Sequence, residues 1–489
     1  MSVIGKKETR KKALLGAKLL HDAVASTMGP KGRDVLIRNK VGQVVVTHDG
    51  ITVAKAVYHD DKAVQNGIDL LRDGGKGMNN DEDGSTTVVV LAYALITHLN
   101  RKKNPMKLRD ELDALVPIIT QQIDEQTRTI EETYDAVYDV TRTSAKDDTI
   151  AEIVTEMVVG TGYKGAINVE TQVGVDTTAE LVDGYLFNSG FVSKLFITDP
   201  KEKAAVLDNP LVLLINGRAE GLNQYADFLN AAVEEGHTNI LLIGDEIDNE
   251  LLNTLIYTRT QTAINPVFVR NVAGYDYLSD LAAILGATIY NPRATTKPPE
   301  LNLAGTAAKA IVKEEETLII GGVGELEAFL DTLDEETDAE RISYLTGKIG
   351  NITVGGVTET QVKERKDRVD DAIGAARAAL KGGIVPGAGA MLANITTGNK
   401  AVDAALKAPS RQLLFNAELP YTQPSLSVGT DVTSGARVNL WEQGIVDAAI
   451  ITKDVVRNAF AVAGTFLTIG ESINEKEYTQ EQLDAMLKM

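Results

Sequence analysis

The 489-residue sequence contains no cysteine. Disulfides and thiolate-held metals are therefore excluded. Histidine is scarce: His21, His48, His59, His98 and His237 are scattered, and no HExxH pair exists. A histidine-based zinc centre is not expected. Positive charge is in deficit, with 49 Lys and Arg against 69 Asp and Glu, a formal net charge of −20. A surface this negative repels nucleic acid and anionic lipid, so neither is expected as a partner. Long apolar runs are missing too. The longest, about Val88–Leu99, is too short to span a bilayer. The basic N-terminal stretch has its apolar run broken by Lys18 and carries no small-residue cleavage site, so no secretory leader is expected. The reading expects a soluble, intracellular protein. No GxxxxGK precedes a Ser or Thr, and no GxGxxG opens a strand–helix–strand unit. P-loop and Rossmann readings both fail.

Apolar residues make up 44% and charged residues 24%, near the globular average. The length suits two to four domains, at about 100–200 residues each. Residues 9–27 read as a helix, with Leu15 and Leu19, then Leu20 and Val24, four apart. It should stop at Gly29-Pro30. Two β-rich runs follow, Asp34–Arg38 and Val44–Thr47. Val88–Leu99 is apolar on nearly every side and should form a core helix. Asn104-Pro105 should open another. Between 184 and 290, the runs Leu211–Ile215, Ile240–Ile243 and Val267–Val269 alternate with helical stretches at 219–235, 246–263 and 275–286. That alternation predicts a helix-covered sheet. Residues 359–380 read as a long charged helix, followed by a Gly-rich turn at Gly382–Gly389 and more helix to the end. Helical ends around an α/β middle suit an α/β domain inserted into a helical one.

Six places could carry chemistry. Thr27-Met28-Gly29-Pro30-Lys31-Gly32-Arg33 is a tight turn with two cations, able to expose N–H groups to phosphate. Asp83-Gly84-Ser85-Thr86-Thr87 precedes the apolar helix. Its N–H groups and hydroxyls suit phosphate oxygens, and Asp83 suits Mg²⁺. The same residue types suit an ordinary helix cap. Asp49, in Thr47-His48-Asp49-Gly50, could orient a water, or be a plain turn aspartate. Asp370-Asp371 lies on the charged helix. Gly387-Ala388-Gly389 is a second close-approach turn. Asp447 could accept from a ribose hydroxyl or cap a helix.

Taken in order, these segments resemble the group I chaperonins, the GroEL-type family. AVASTMGPKGRDVLIRNKVGQVVVTHDGITVAKAV (23–57), EDGSTTVVVLAYAL (82–95), RVDDAIGAARAALKGGIVPGAGA (368–390) and GIVDAAIITKDVVRNAFAVAG (444–464) are similar to the family's nucleotide-site segments. The sequence is thus identified as a divergent member. The resemblance implies an α+β multidomain fold in five stretches: a helical equatorial ATP-binding domain from 1–127 and 383–489, a small intermediate hinge domain from 128–183 and 350–382, and an inserted α/β apical domain at 184–349. It implies an ATPase working with Mg²⁺, and with K⁺ as an optional second cation. Thr27, Met28, Gly29 and Pro30 would lie along the phosphates, with Gly84, Ser85, Thr86 and Thr87 on their oxygens. Asp83 would bind Mg²⁺. Gly389 and Asp447 would sit near the ribose. Asp49 and Asp371 match the two catalytic aspartates. Asp371, on the intermediate helix, would reach the γ-phosphate only when that domain swings down.

The resemblance also implies seven-membered rings, unfolded polypeptide as client, a co-chaperonin lid as a further partner, and the cytoplasm as location, the host's if the gene is phage-borne. The apolar client groove would comprise Phe191, Leu195, Phe196, Leu229, Leu252, Ile256 and Tyr257. Ala388 stands where the family has the middle glycine of a GGG turn, His48 where it usually has Lys, and Ala226 where the groove usually has Leu. Arg437 and Val438 lie near where the family usually has small residues facing the adenine. The departures at Ala388 and His48 motivate an alternative, a ring-forming holdase with little ATP turnover.

Overall fold

In the computed structural model the residues described are 2–38, 42, 44–76, 84–99, 104–130, 133–162, 165–200, 202–271, 274–295, 297–333, 341, 345 and 347–474. They form two compact units. The first takes in 1–164, 169–179 and 352–489; the second takes in 165–168 and 180–351.

The first unit is mainly helical. Lys6–Ala25, Lys62–Lys76, Ser85–His98, Pro105–Gln126 and Ala449–Thr468 share a core built on Leu20, Ile68, Leu91, Leu95, Leu112 and Phe460. Ser85–His98 is buried on almost every side, from Val88 to Ala92 and again from Ala94 to Ile96, as its unbroken apolar run demands. Its neighbours start where their caps dictate. Asn104 accepts from the Met106 N–H ahead of Pro105, a residue suited to a first helical turn. Thr358 accepts from the Gln361 N–H to begin Glu359–Gly382.

Small antiparallel pairs tie distant segments together. Val35–Arg38 pairs with Val44–Thr47. Ser2–Ile4 pairs with Ser472–Asn474. Ile384–Pro386 pairs with Val446–Ala448, placing Val385 opposite Asp447. The expectation of helix from the glycine turn to the end fails in the middle of that stretch. After Ala408–Asn416 the chain makes turns and a hairpin, Val428–Thr430 against Arg437–Asn439, before helix resumes at Ala449. Pro420, Pro424, Gly429, Gly435 and Gly444 interrupt any continuous helix there.

The second unit is α/β. Leu211–Ala219, Asn239–Ile247 and Asn265–Arg270 run parallel in adjacent register. Their central residues are fully buried, which is why they read as unbroken apolar runs. Leu222–Glu234, Asn249–Gln261 and Tyr275–Leu285 supply the helices. The sheet extends further than the apolar runs foretold. Gly305–Val312 pairs antiparallel with Leu211 and Val212, with Ala205–Asp208 and with Thr317–Gly322, and Thr317–Ile320 pairs with Gly184–Phe187.

Candidate functional site

The first unit contains a cavity of about 700 Å³, within the range typical of small-molecule sites, roughly 300–1,000 Å³. Its lining gathers segments far apart in sequence: Thr27–Lys31, His48–Ile51, Gly84–Thr87, Asp367 and Asp371, Ala388 and Gly389, Thr430–Thr433 and Asp447.

The floor is the start of Ser85–His98. Gly84, its N-cap, offers no side chain to the first-turn N–H groups. Those N–H groups lack intrahelical acceptors and carry the positive end of the helix dipole. Ser85, Thr86 and Thr87 add hydroxyls at the cavity wall. This donor set suits anionic oxygens. Asp83, the expected metal ligand, lies outside the described residues. Among the described residues no three acidic or histidine side chains cluster as a metal site.

Beside it runs the turn after Lys6–Ala25. Thr27 and Met28 are buried, while Pro30 is exposed. The Thr27 hydroxyl donates to the Val24 carbonyl at 2.9 Å, closing the helix end. Met28 packs with Leu413. Asn416 clamps the turn from the far end of the chain, donating to the Ala25 carbonyl at 2.8 Å and the Met28 carbonyl at 2.9 Å. Sequence reading missed this role for Asn416, because side-chain-to-carbonyl bonds across nearly 400 residues leave no local pattern.

Asp49 is held on both carboxylate oxygens. It is the N-cap of Gly50–Ala56, accepting from Ile51 N–H at 2.9 Å and Thr52 N–H at 2.8 Å. A carboxylate has about four acceptor positions, so two remain for water. Gly50 lets this turn meet the cavity floor: a Cβ there would stand 2.1 Å from the Thr86 hydroxyl oxygen. The helix Glu359–Gly382 brings Asp367 and Asp371, four residues and therefore one turn apart, to the same cavity.

Two sets of contacts lie between that helix and neighbouring segments. His48 Nδ1 lies 3.5 Å from Glu364 Oε1 and 3.9 Å from Asp34 Oδ1. Arg368 donates to the carbonyls of Ala145 at 3.3 Å and Lys146 at 3.2 Å. Burial lowers the His48 pKa, and the nearby Arg368 and Lys146 lower it further against Glu364 and Asp34. The shift favours the neutral imidazole. Arg142 and Lys146 line the cavity as well and supply positive charge that sequence reading had not assigned.

Asp447, on the strand Val446–Ala448 paired with Ile384–Pro386, and Gly389, just beyond the latter, line the cavity. Ala388 adopts φ +54°, a left-handed conformation disfavoured for alanine. Near the hairpin, Thr430–Thr433 line the cavity, rather than Arg437 and Val438. Burial alone would raise the Asp431 pKa. Hydrogen bonds from Ser434 and Thr433 outweigh that and hold it below the usual carboxylate value.

The expected client residues lie in the second unit, and two need correction. Phe196 is 0% exposed and Phe191 8%; both belong to the core. A side chain already buried has no surface to offer. Leu195, 58% exposed, and Tyr257, 67% exposed, do present apolar surface. Leu229, Leu252 and Ile256 are half-buried against the core. Arg259 donates to the Ile197 carbonyl at 3.2 Å, pinning the Leu195 segment to Asn249–Gln261.

No described helix is long and apolar enough to cross a membrane. The model of the TCP-1/cpn60 chaperonin family matches residues 20–398. Two crystal structures of the chaperonin gp146 from the bacteriophage EL 2 (Pseudomonas aeruginosa), both determined in the presence of ATP-BeFx, match over 98% of this chain and 100% of theirs, at 20% identity. The TM-scores are 0.65 for crystal form II and 0.62 for crystal form I.

Proposed function

This chain belongs to the TCP-1/cpn60 chaperonin family, and from that premise we propose that it is an ATP-driven folding machine: a ring-forming ATPase that binds non-native polypeptide and assists its folding. The observation that carries the reading is the cavity that draws Thr27–Pro30, Asp49, Ser85–Thr87, Asp371, Gly389 and Asp447 together from both sides of the inserted second unit. In this reading 1–127 and 383–489 are the equatorial domain, 128–183 and 350–382 the intermediate domain, and 184–349 the apical domain.

ATP would place its triphosphate on the N–H groups and hydroxyls of Ser85–Thr87, along Thr27–Pro30, with the ribose toward Gly389 and Asp447. Mg²⁺, held through Asp83, would neutralise charge on the phosphate oxygens. Asp49, fixed by its two backbone bonds, and Asp371 would orient the attacking water. Water attacks the γ-phosphorus, the bond to the β-phosphate oxygen breaks, and ADP and phosphate leave. Positioning and charge stabilisation account for most of such catalysis. Because Asp371 rides on Glu359–Gly382, hydrolysis would stop whenever that helix lifts and the His48–Glu364 contact parts.

Client capture would use Leu195 and Tyr257, backed by Leu229, Leu252 and Ile256. Burying one such side chain contributes roughly 1.5–3 kcal/mol, too little alone. Several copies around a ring, seven in this reading, would bind by avidity.

The test is steady-state ATPase activity with and without unfolded protein, on the parent and Asp371→Ala. The variant is expected to keep ATP binding and lose most turnover. Parental turnover in Asp371→Ala would refute the role of that carboxylate. A parent that binds ATP without turning it over would favour the holdase alternative.

A further inference from the structure

Asp367 lines the nucleotide cavity one helical turn before Asp371, on the helix that also carries Glu364 against His48. It is half-buried, and no described residue donates a hydrogen bond to its carboxylate. The charges facing it are Lys363, Lys366 and Asp370 on its own helix and Asp49 on the turn opposite. Lys366 is engaged elsewhere, donating to Asp370 at 2.8 Å. Arg142, Lys146 and Asp148 also line the cavity. Both Asp49 oxygens already accept backbone N–H groups, and Asp371 is exposed. Of the three carboxylates here, Asp367 is the one whose oxygens are both sheltered and uncommitted.

Resting on the ATPase reading above, we propose that Asp367 is a third carboxylate of the hydrolytic site and takes the proton from the attacking water. The balance is simple. One water O–H bond breaks and its proton passes to a carboxylate oxygen of Asp367. The water oxygen bonds to the γ-phosphorus as the bridging P–O bond breaks, its electron pair leaving with ADP. Asp49 and Asp371 orient the water; Asp367 accepts the proton and later releases it to solvent.

The environment agrees with this task. Burial, then the charges of Asp49 and Asp370, push the Asp367 carboxyl up to about 6 against the opposing pull of Lys363 and Lys366. A base with a pKa near the working pH combines a deprotonated resting state with useful proton affinity. The negative charge of a bound triphosphate would raise it further.

The experiment is a pH profile of single-turnover and steady-state ATP hydrolysis on the full chain with Mg-ATP, for the parent, Asp367→Asn and Asp367→Glu, with ATP affinity and assembly size measured alongside. The parent is expected to lose turnover as the pH falls through about 6 or slightly above. Asp367→Asn should keep ATP affinity within about threefold, lose turnover by about 100-fold, and lose the acid limb. Asp367→Glu should recover part of the rate and show the limb again. An Asp367→Asn profile that superimposes on the parent overturns this inference while leaving the ATPase reading intact. So does an Asn variant whose losses in turnover and ATP affinity match, since that marks a structural role. A parent that neither binds nor hydrolyses ATP overturns both.

Discussion

The proposed function gives Asp49 two jobs, and two substitutions pull them apart. Its carboxylate caps Gly50–Ala56 through the N–H groups of Ile51 and Thr52, and it lines the cavity. Asp49→Ala removes both functions. Losing an N-cap of this kind costs about 1 kcal/mol. In a unit of this size that lowers the melting temperature by about 2 °C. Asp49→Asn keeps one oxygen for the cap but replaces the other with an amide NH2 that cannot accept, so it retains one of the two cap bonds and its melting temperature should fall by less than that of Asp49→Ala. Both variants lose the charge proposed to orient water, so both should lose turnover by about 100-fold. The assays are thermal unfolding followed by circular dichroism and steady-state ATP hydrolysis. Parental turnover in Asp49→Asn would show that capping is all Asp49 does. An Asp49→Ala melt superimposable on the parent would refute the capping argument.

The Gly387–Gly389 turn allows a second test. A Cβ on Gly389 would stand 2.7 Å from the Ser410 backbone nitrogen at φ +66°. Gly389→Ala should therefore destabilise by more than the roughly 1–2 kcal/mol of left-handed strain alone, seen as a lower urea midpoint. Ala388→Gly at φ +54° relieves similar strain, less about 0.4–1 kcal/mol of added unfolded-chain freedom, so it should raise the midpoint slightly; a lowered midpoint would contradict the strain argument. In the second unit, Tyr257→Ser should leave melting unchanged while weakening suppression of aggregation of a chemically unfolded protein, followed by light scattering. Phe196→Ser should instead cost about 3–5 kcal/mol of stability; a Phe196→Ser protein that melts like the parent would mean the side chain is not core.

Local patterns were legible where one chain segment contains its own reason. The apolar run from Val88 to Leu99 could only be a core helix. Val44–Thr47 was bounded correctly by its β-branched residues, and the helix Glu359–Gly382 agrees with its charged periodicity and its cap at Thr358. The antiparallel strands Gly305–Val312 and Thr317–Gly322 were missed because their pairing partners include Ala205–Asp208 and Gly184–Phe187, beyond any local window. The long segment after Asn416 was misread because its turns are set by prolines and glycines at irregular spacing. Phe191 and Phe196 were placed on a surface because an apolar residue looks the same whether it faces client or core.

The sequence by itself determined the family, the helical ends around an α/β middle, and the phosphate-suited turns, because each rests on residue order or on the chemistry of a few neighbouring side chains. The tertiary structure alone decided that those turns border a single cavity. It also decided that Asp49 is already bonded to backbone, that Asn416 clamps the Met28 turn, and that Asp367 stands sheltered beside Asp371. Those facts depend on which distant groups come within hydrogen-bonding or Coulombic range, and only the folded chain sets those distances.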